Sequence, residues 1–383
     1  MRILSIFGTR PEAVKMAPVV KLLERTQGID SLVCVTAQHR EMLDQVLHLF
    51  QIHPDYDLNL MRNNQSLAGL TAEIFTKLDP LLAETAPDWI LVQGDTTTVM
   101  AAALLAYYRR IKVGHIEAGL RTGDKWQPCP EEINRRVAGT VADLHFAPTT
   151  INRDNLLREG VEDWRIHVTG NTIVDALYEI MHHTPPESIQ KLLADLRIGK
   201  GSKKLVLVTA HRRENFGQPL EEICAALCQL AMENDEIELV YPVHLNPNVQ
   251  EPVHRLLGDV KNIHLLEPQD YLPMVFLMRN ASLILTDSGG VQEEATALGV
   301  PALVLREVTE RPEGIQAGIL KLVGTDRKRI VEEASLLLKS PAVQTAGVGR
   351  VNPYGDGCAA ERIVNILLQQ NDPKAEGGLS RTQ

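Results

Sequence analysis

Residues 283–301, LILTDSGGVQEEATALGVP, decide how this chain folds. Leu283, Ile284, Leu285 and Thr286 form a short apolar run of strand type, and Asp287, Ser288, Gly289 and Gly290 then break the chain. Residues 292–298 read as a helix, ended by Gly299 and followed by Pro301. A strand, a Gly-Gly turn and a helix in that order leave backbone N–H groups at the positive end of the helix dipole, a place for a phosphate or diphosphate. Glu293 and Glu294 fall in the first turn of this helix, which suits the dipole, and Glu294 is also within reach of a ribose diol. Taken alone, two glycines fit an ordinary strand–helix turn equally well.

The same alternation runs along nearly the whole chain. Strand-like runs occupy residues 3–7, 32–36, 89–92, 113–117 and 145–147, and then 205–209, 237–243, 263–266, 283–286 and 302–305. Amphipathic stretches such as 12–25, 40–50, 67–84 and 97–108 lie between them. Short continuous apolar runs alternating with helices predict parallel sheets covered on both faces. Ten such runs exceed one ordinary open sheet, so the expectation is α/β with two doubly wound domains, residues 1–170 and 171–370. The boundary region carries Gly170, the Pro185-Pro186 pair and a polar GKGSKK stretch. The last helix, at 359–369, is a candidate to pack back on the first domain, and the polar tail 371–383 is expected to be disordered.

Composition narrows the function classes. The chain has 383 residues, 44% of them hydrophobic and only 4% aromatic, with a net charge of −10, so neither nucleic acid nor an anionic membrane surface is an expected partner. An anionic ligand must then be held by local basic residues. The five cysteines, Cys34, Cys129, Cys224, Cys228 and Cys358, are odd in number and contain no CxxC pair, which argues against disulfides and a zinc knuckle. The opening MRILSIFGTRPEA is too short an apolar run for a signal peptide, and no stretch approaches the ~18 apolar residues of a spanning helix. A cytoplasmic protein is expected.

In open α/β sheets ligands sit at the carboxyl ends of the strands. Six of the strand runs end in polar, ionisable or glycine-rich residues: Gly8 to Glu12 with Lys15, Gln93 to Thr98, His115 to Arg121, His211 to Asn215, His244 to Pro247, and the DSGG turn. A helix cap or a surface charge explains any one of them, but six together are poorly explained that way. The first strand is not followed by GxGxxG, and GxxxxGK[ST] does not occur, so neither a dinucleotide fingerprint nor a P-loop is present.

The segments FGTRPEAVKMAP, TAQHREMLDQVL, QGDTTT, GHIEAGLRTGD, PEEINRR, TGNTIVDAL, TAHRRENFG, YPVHLNPNV, LTDSGGVQEEA, TERPE and NPYGDG occur in this order. Together, over residues 1–370, the chain closely resembles the bacterial non-hydrolysing UDP-N-acetylglucosamine 2-epimerases. The resemblance implies a GT-B-like fold with the site in the cleft between two Rossmann-like domains, a homodimer, and interconversion of UDP-GlcNAc and UDP-ManNAc for surface polysaccharide synthesis. It implies neither cofactor nor metal.

Carried over residue by residue, it places Asp95, Glu117, Glu131 and His211 around the sugar as acid and base groups. For UDP it implies Arg10, Lys15, Ser288, Gly289, Gly290, Glu294 and Arg311, with uracil against the loop near Gln269. Met274 stands where the family often has an aromatic to stack on the base, leaving that contact to the thioether or to Phe276; Cys129 likewise replaces an aromatic. Gln38, His39 and Arg212 resemble residues of a second UDP-GlcNAc site that activates some relatives.

The chemistry has its own logic. Removing the proton at carbon 2 while UDP departs from carbon 1 gives a glycal, to which UDP adds back after protonation on the opposite face. That route inverts a carbon without a nicotinamide. It asks for acid and base groups near carbon 2, a firm hold on UDP and exclusion of water. Which carboxylate takes the first proton is open. Three other readings share the diphosphate turn: a GT-B glycosyltransferase with a UDP-sugar donor, a hydrolysing epimerase, and a nucleotide-sugar binding protein without turnover.

Overall fold

The computed structural model describes residues 1–37, 40–60, 65–199, 203–339 and 352–370. Gln38, His39 and the tail 371–383 lie outside them. The described chain divides into two units, Met1–Ala176 joined by the stretch from Tyr354 onward, and Leu177–Pro353.

The first unit is built on seven parallel strands: β1 (Arg2–Phe7), β2 (Asp30–Val35), β3 (Tyr56–Asp57), β4 (Trp89–Gln93), β5 (Lys112–Ile116), β6 (Leu144–Ala147) and β7 (Ile166–Val168). Their order is β3-β2-β1-β4-β5-β6-β7. All five residues of β4 are buried, as a strand covered on both faces requires. The Thr97–Tyr108 helix brings Ala101, Ala102, Ala103 and Ala106 into the core with Ile90, Val92 and Val113, small side chains that let helix and sheet approach closely. The Ala359–Gln369 helix packs on the Arg10–Arg25 helix, tied by Ala360 N–H to Asp175 Oδ1 at 2.8 Å and by Asn171 N–H to Tyr354 O at 2.7 Å.

The second unit has six parallel strands: β8 (Lys204–Thr209), β9 (Ile237–Pro242), β10 (Ile263–Leu266), β11 (Ala281–Thr286), β12 (Ala302–Val304) and β13 (Leu320–Leu322), in the order β10-β9-β8-β11-β12-β13. Its core joins Val206, Val208, Leu283, Leu285 and Leu303 of the sheet to Leu220, Leu227 and Leu230 of the Gln218–Glu233 helix. Cys224 is a buried member of that core, and its thiol is pushed up to about 12 by burial, so it acts as a small apolar side chain. Among the described residues no helix is long and apolar enough to cross a membrane.

In both sheets the order in which strands are added reverses at the centre, between β1 and β4 in one and between β8 and β11 in the other. At such a switch point the connections leave on opposite sides, and a crevice opens at the carboxyl ends of the two central strands. Gly8, just past β1, lies in that crevice. A Cβ there would fall 1.9 Å from Thr36 Oγ1 and 3.1 Å from Thr98 Oγ1, two hydroxyls themselves 3.1 Å apart. Gly8→Ala is therefore expected to cost about 1–3 kcal/mol in urea unfolding. Adding it to Thr36→Ala should cost less, because the first clash has been removed.

His115 of β5 and His145 of β6 are cross-strand partners and both are buried. Burial holds His115 down to about 4 and His145 down to about 3. In the unfolded chain each imidazole takes up a proton as the pH falls through about 6.5. Their neutral burial thus supports the fold fully above that pH. The support is lost as pH falls further, at about 1.4 kcal/mol per pH unit for each histidine, until the folded values are reached. In urea unfolding between pH 6 and 5, a His145→Phe chain should lose stability less steeply than the wild type by that amount.

Candidate functional site

At the switch point of the first unit, a buried carboxylate organises the loop after β1. Glu12 Oε2 accepts from Gly8 N–H at 3.1 Å and Thr9 N–H at 2.7 Å, and Oε1 accepts from the Thr96 hydroxyl at 2.7 Å. Burial raises the Glu12 carboxyl above its ordinary value, against the pull of these donors. The loop after β4 is held from β5. Gly94, at φ 80°, donates its N–H to Ile116 O at 3.0 Å, and its carbonyl accepts from His115 Nε2 at 2.8 Å. A carbonyl only accepts, so the His115 proton is on Nε2. Asp95 follows, its Oδ2 held by Arg135 Nε at 2.9 Å and Nη2 at 2.7 Å and its carbonyl by Asn134 Nδ2 at 2.9 Å. Arg135 also donates to Glu132 Oε2 at 3.0 Å.

Glu117, directly after β5, sits in the left-handed region at φ 63°, a conformation that costs a non-glycine residue energy. Its carboxylate takes side-chain donors on both oxygens. Lys15 Nζ bonds to Oε1, Asn171 Nδ2 donates to the same oxygen at 3.1 Å, and Gln93 Nε2 bonds to Oε2. The Lys15 and Glu117 side chains are only 7% and 8% exposed. A Cβ on Gly94 would lie 3.5 Å from Glu117 Oε2, so this glycine leaves the carboxylate room beside the Asp95 loop. Glu131 opens the Glu131–Val141 helix behind Pro130; its Oε2 is buried with no hydrogen-bond partner among the described residues. Arg10 opens the Arg10–Arg25 helix and is half-buried.

The second unit repeats the plan. Asp287, fully buried after β11, accepts through Oδ2 from His211 N–H at 2.9 Å, Arg212 N–H at 2.8 Å and Asn215 Nδ2 at 3.0 Å. This pins the loop after β8 and leaves Asp287 Oδ1 3.8 Å from His211 Nδ1. The His211 ring stacks on His244, centroids 5.2 Å apart and planes at 9°.

The glycines of the DSGG segment already belong to the helix, which runs Gly289–Leu298. Glu293 and Glu294 therefore lie in its second turn, not its first as the sequence suggested, and both are buried. The glycines differ in purpose. A Cβ on Gly289 would fall 2.6 Å from Arg311 Nη1 and 2.8 Å from Cζ, so the guanidinium rests on the start of the helix, whereas nothing lies within 4 Å of a Cβ on Gly290. Ser288 makes no side-chain cap bond, and its N–H goes to Thr286 Oγ1 at 3.0 Å. Arg311 donates through Nε to Glu293 Oε1 at 2.7 Å and through Nη1 to Glu310 Oε2 at 3.3 Å. Arg306 bridges Glu310 at 3.2 Å and Glu214 at 2.6 Å, extending the charge chain to the loop that carries His211. Gln269 donates to Glu267 O at 2.8 Å, and Met274 and Phe276 are buried, 8% and 2% exposed, in the Tyr271–Asn280 helix.

The structure thus brings together Lys15 and Glu117 in one unit, and Ser288, Gly289, Gly290 and Arg311 in the other. Sequence reasoning missed the residues that hold the candidate side chains or their loops: Gln93 and Asn171 on Glu117, Arg135 on Asp95, Glu12 on the loop after β1 and Asp287 on the loop of His211. Gln93 and Asp287 stood at strand ends already read as functional, but Asn171 follows β7, a strand too short to notice. Of the candidate activator residues, Gln38 and His39 lie outside the described residues, and Arg212 is held through its backbone by Asp287. Among the described residues no group of three or more His, Cys, Asp and Glu side chains is placed to hold a metal ion.

A family model described as UDP-N-acetylglucosamine 2-epimerase matches residues 21–368. The UDP-N-acetylglucosamine 2-epimerase of Escherichia coli K12 is 55% identical over 371 residues, covering 96% of this chain and 98% of its own length. The crystal structure of UDP-GlcNAc 2-epimerase from Neisseria meningitidis bound to UDP-GlcNAc is 48% identical with a TM-score of 0.91, covering 96% of this chain and all (100%) of its own. The enzyme from Methanocaldococcus jannaschii, in complex with UDP-GlcNAc and UDP, is 34% identical at a TM-score of 0.83, covering 96% of this chain and 100% of its own. A glycotransferase of kitacinnamycin, at 13% identity and a TM-score of 0.65, shares the GT-B-like fold alone. With this match in sequence, fold and extent, the chain belongs to the UDP-N-acetylglucosamine 2-epimerase family.

Proposed function

We propose that this protein interconverts UDP-GlcNAc and UDP-ManNAc without hydrolysis, by eliminating UDP to 2-acetamidoglucal and adding it back. One observation carries the reading: in a chain of this family, an ammonium, two neutral amides and the Glu117 carboxylate converge at a sheet switch point. Glu117 takes the proton from carbon 2 as the C1–O bond to UDP breaks, leaving a C1–C2 double bond. Glu131, whose buried Oε2 has no partner among the described residues, exchanges a proton at carbon 2 on the other face. Asp95, fixed by Arg135, orients the sugar. Protonation of carbon 2 and return of the UDP oxygen to carbon 1 complete an isomerisation in which nothing is oxidised.

The departing diphosphate needs positive charge throughout. Arg10 and Lys15 supply it in the first unit, and the helix start at Ser288, Gly289 and Gly290, with Arg311 resting on it, supplies it in the second. Glu294 takes the ribose, Gln269 and Met274 the side of uracil, and His211, oriented from below by Asp287, donates to the leaving phosphate. The product is the activated donor that a glycosyltransferase building a surface polysaccharide consumes. A homodimer and a second, activating UDP-GlcNAc complete the proposal, to be read from solution mass and from the curvature of rate against UDP-GlcNAc.

Incubation with UDP-GlcNAc alone in D2O, followed by NMR, should give UDP-ManNAc with deuterium at carbon 2 in both sugars. Free ManNAc would show a hydrolase, and absence of exchange would overturn the reading. Glu117→Gln should lower exchange by at least about 100-fold while UDP binding survives. Because this change removes the carboxylate from a buried Lys15, thermal unfolding must show that the variant is folded.

A further inference from the structure

The Lys15–Glu117 ion pair sets two of the assigned roles against each other. As the base for a weakly acidic C–H, Glu117 should be free of positive charge, yet its Oε1 is joined to the Lys15 ammonium, with both side chains more than nine-tenths buried. A carboxylate so paired is a poor base. As a partner for diphosphate, Lys15 is in turn occupied by Glu117.

The distribution of donors around Glu117 resolves the conflict. Each carboxylate oxygen has a neutral amide of its own: Asn171 on Oε1 at 3.1 Å and Gln93 on Oε2. These hold the side chain's position whether or not the ammonium is present, and the backbone at φ 63° fixes where it starts. Of the other ionisable groups near the crevice, Glu131 keeps a buried oxygen without a hydrogen-bond partner among the described residues, and three more are held by partners of their own. Asp95 is held by Arg135, Glu12 accepts from Gly8, Thr9 and Thr96, and His115 donates to Gly94 O. Lys15 brings a cation to Glu117 beside these two amides, and it stands near the amino-terminal end of the Arg10–Arg25 helix, the end to which a diphosphate is drawn.

We propose that Lys15 is a substrate-operated gate on Glu117: the arriving diphosphate takes the ammonium, and the carboxylate, still held by Gln93 and Asn171, becomes a competent base only then. The gate couples basicity at carbon 2 to the presence of the leaving group that makes elimination productive, and Lys15 returns to Glu117 when the nucleotide sugar leaves. This rests on the roles given above to Glu117 and Lys15.

Binding of UDP-GlcNAc, whose doubly esterified diphosphate has no proton to exchange near neutrality, is measured by calorimetry near pH 6 in buffers of different ionisation enthalpy. Wild-type protein should take up a substantial fraction of a proton per site, and Glu117→Gln should bind without that uptake. The acid limb of kcat/KM, which reports the free enzyme, should lie about 1–3 pH units below that of kcat. Lys15→Met should raise the kcat/KM limb to meet it. Binding and carbon-2 exchange without proton uptake, or uptake unchanged in Glu117→Gln, or coincident acid limbs in the wild type, would overturn the gate and leave the epimerase reading standing. Absence of UDP-GlcNAc binding would remove both.

Discussion

At each sheet switch point the loop after the first central strand has backbone donors with no neighbouring strand to receive them, and in both units a buried carboxylate receives them. Glu12 accepts from the consecutive N–H groups of Gly8 and Thr9, and Asp287 from those of His211 and Arg212. Each also takes a side chain from elsewhere in its crevice, Thr96 in one case and Asn215 in the other. A buried backbone donor left alone costs about 1–3 kcal/mol, so these carboxylates set the loop shapes as well as filling space. The side chains assigned to chemistry, Arg10 beside the first loop and His211 within the second, stand on backbone that this constraint has fixed.

A second constraint follows from burial of charge. A cation placed to meet a diphosphate cannot wait unpaired inside a protein of low polarity. Lys15 rests on Glu117, and Arg311 on Glu293 and Glu310. Each resting partner is an anion that the ligand must compete with. On the proposed function, affinity for nucleotide is thereby reduced, while the cations are kept in place. In the second unit the chain Glu214–Arg306–Glu310–Arg311–Glu293 spreads this competition over several residues. In the first it falls on the Lys15–Glu117 pair, and there, on the proposed function, it acts on the base.

Much of this was legible in the sequence because parallel strands buried on both faces must be apolar throughout. The runs at 89–92 and 283–286 could hardly be anything else, and both lie at the centre of their sheets. The strands that went unread, β3, β7 and β13, are two or three residues long and lie at sheet edges, where half-exposed side chains such as His167 and polar ones such as Lys321 break the apolar run. At the site, residue types at strand ends pointed to Lys15, Glu117 and the DSGG helix start. Their partners did not show, because Asn171 and Arg135 lie 54 residues beyond Glu117 and 40 beyond Asp95 and meet them only through the fold. The place of the two glycines inside the helix was also hidden, since glycine is a poor helix former and Gly289 is there to admit the Arg311 guanidinium.

The central claim is that the bond between carbon 1 and the UDP oxygen breaks while both fragments stay bound. Positional isotope exchange addresses it directly, using UDP-GlcNAc with oxygen-18 in the sugar–phosphate bridge. If UDP departs and returns as described, the label in recovered nucleotide sugar moves from the bridge to the non-bridging positions of the β-phosphate as epimerisation proceeds. A label that stays in the bridge through many turnovers would contradict the account.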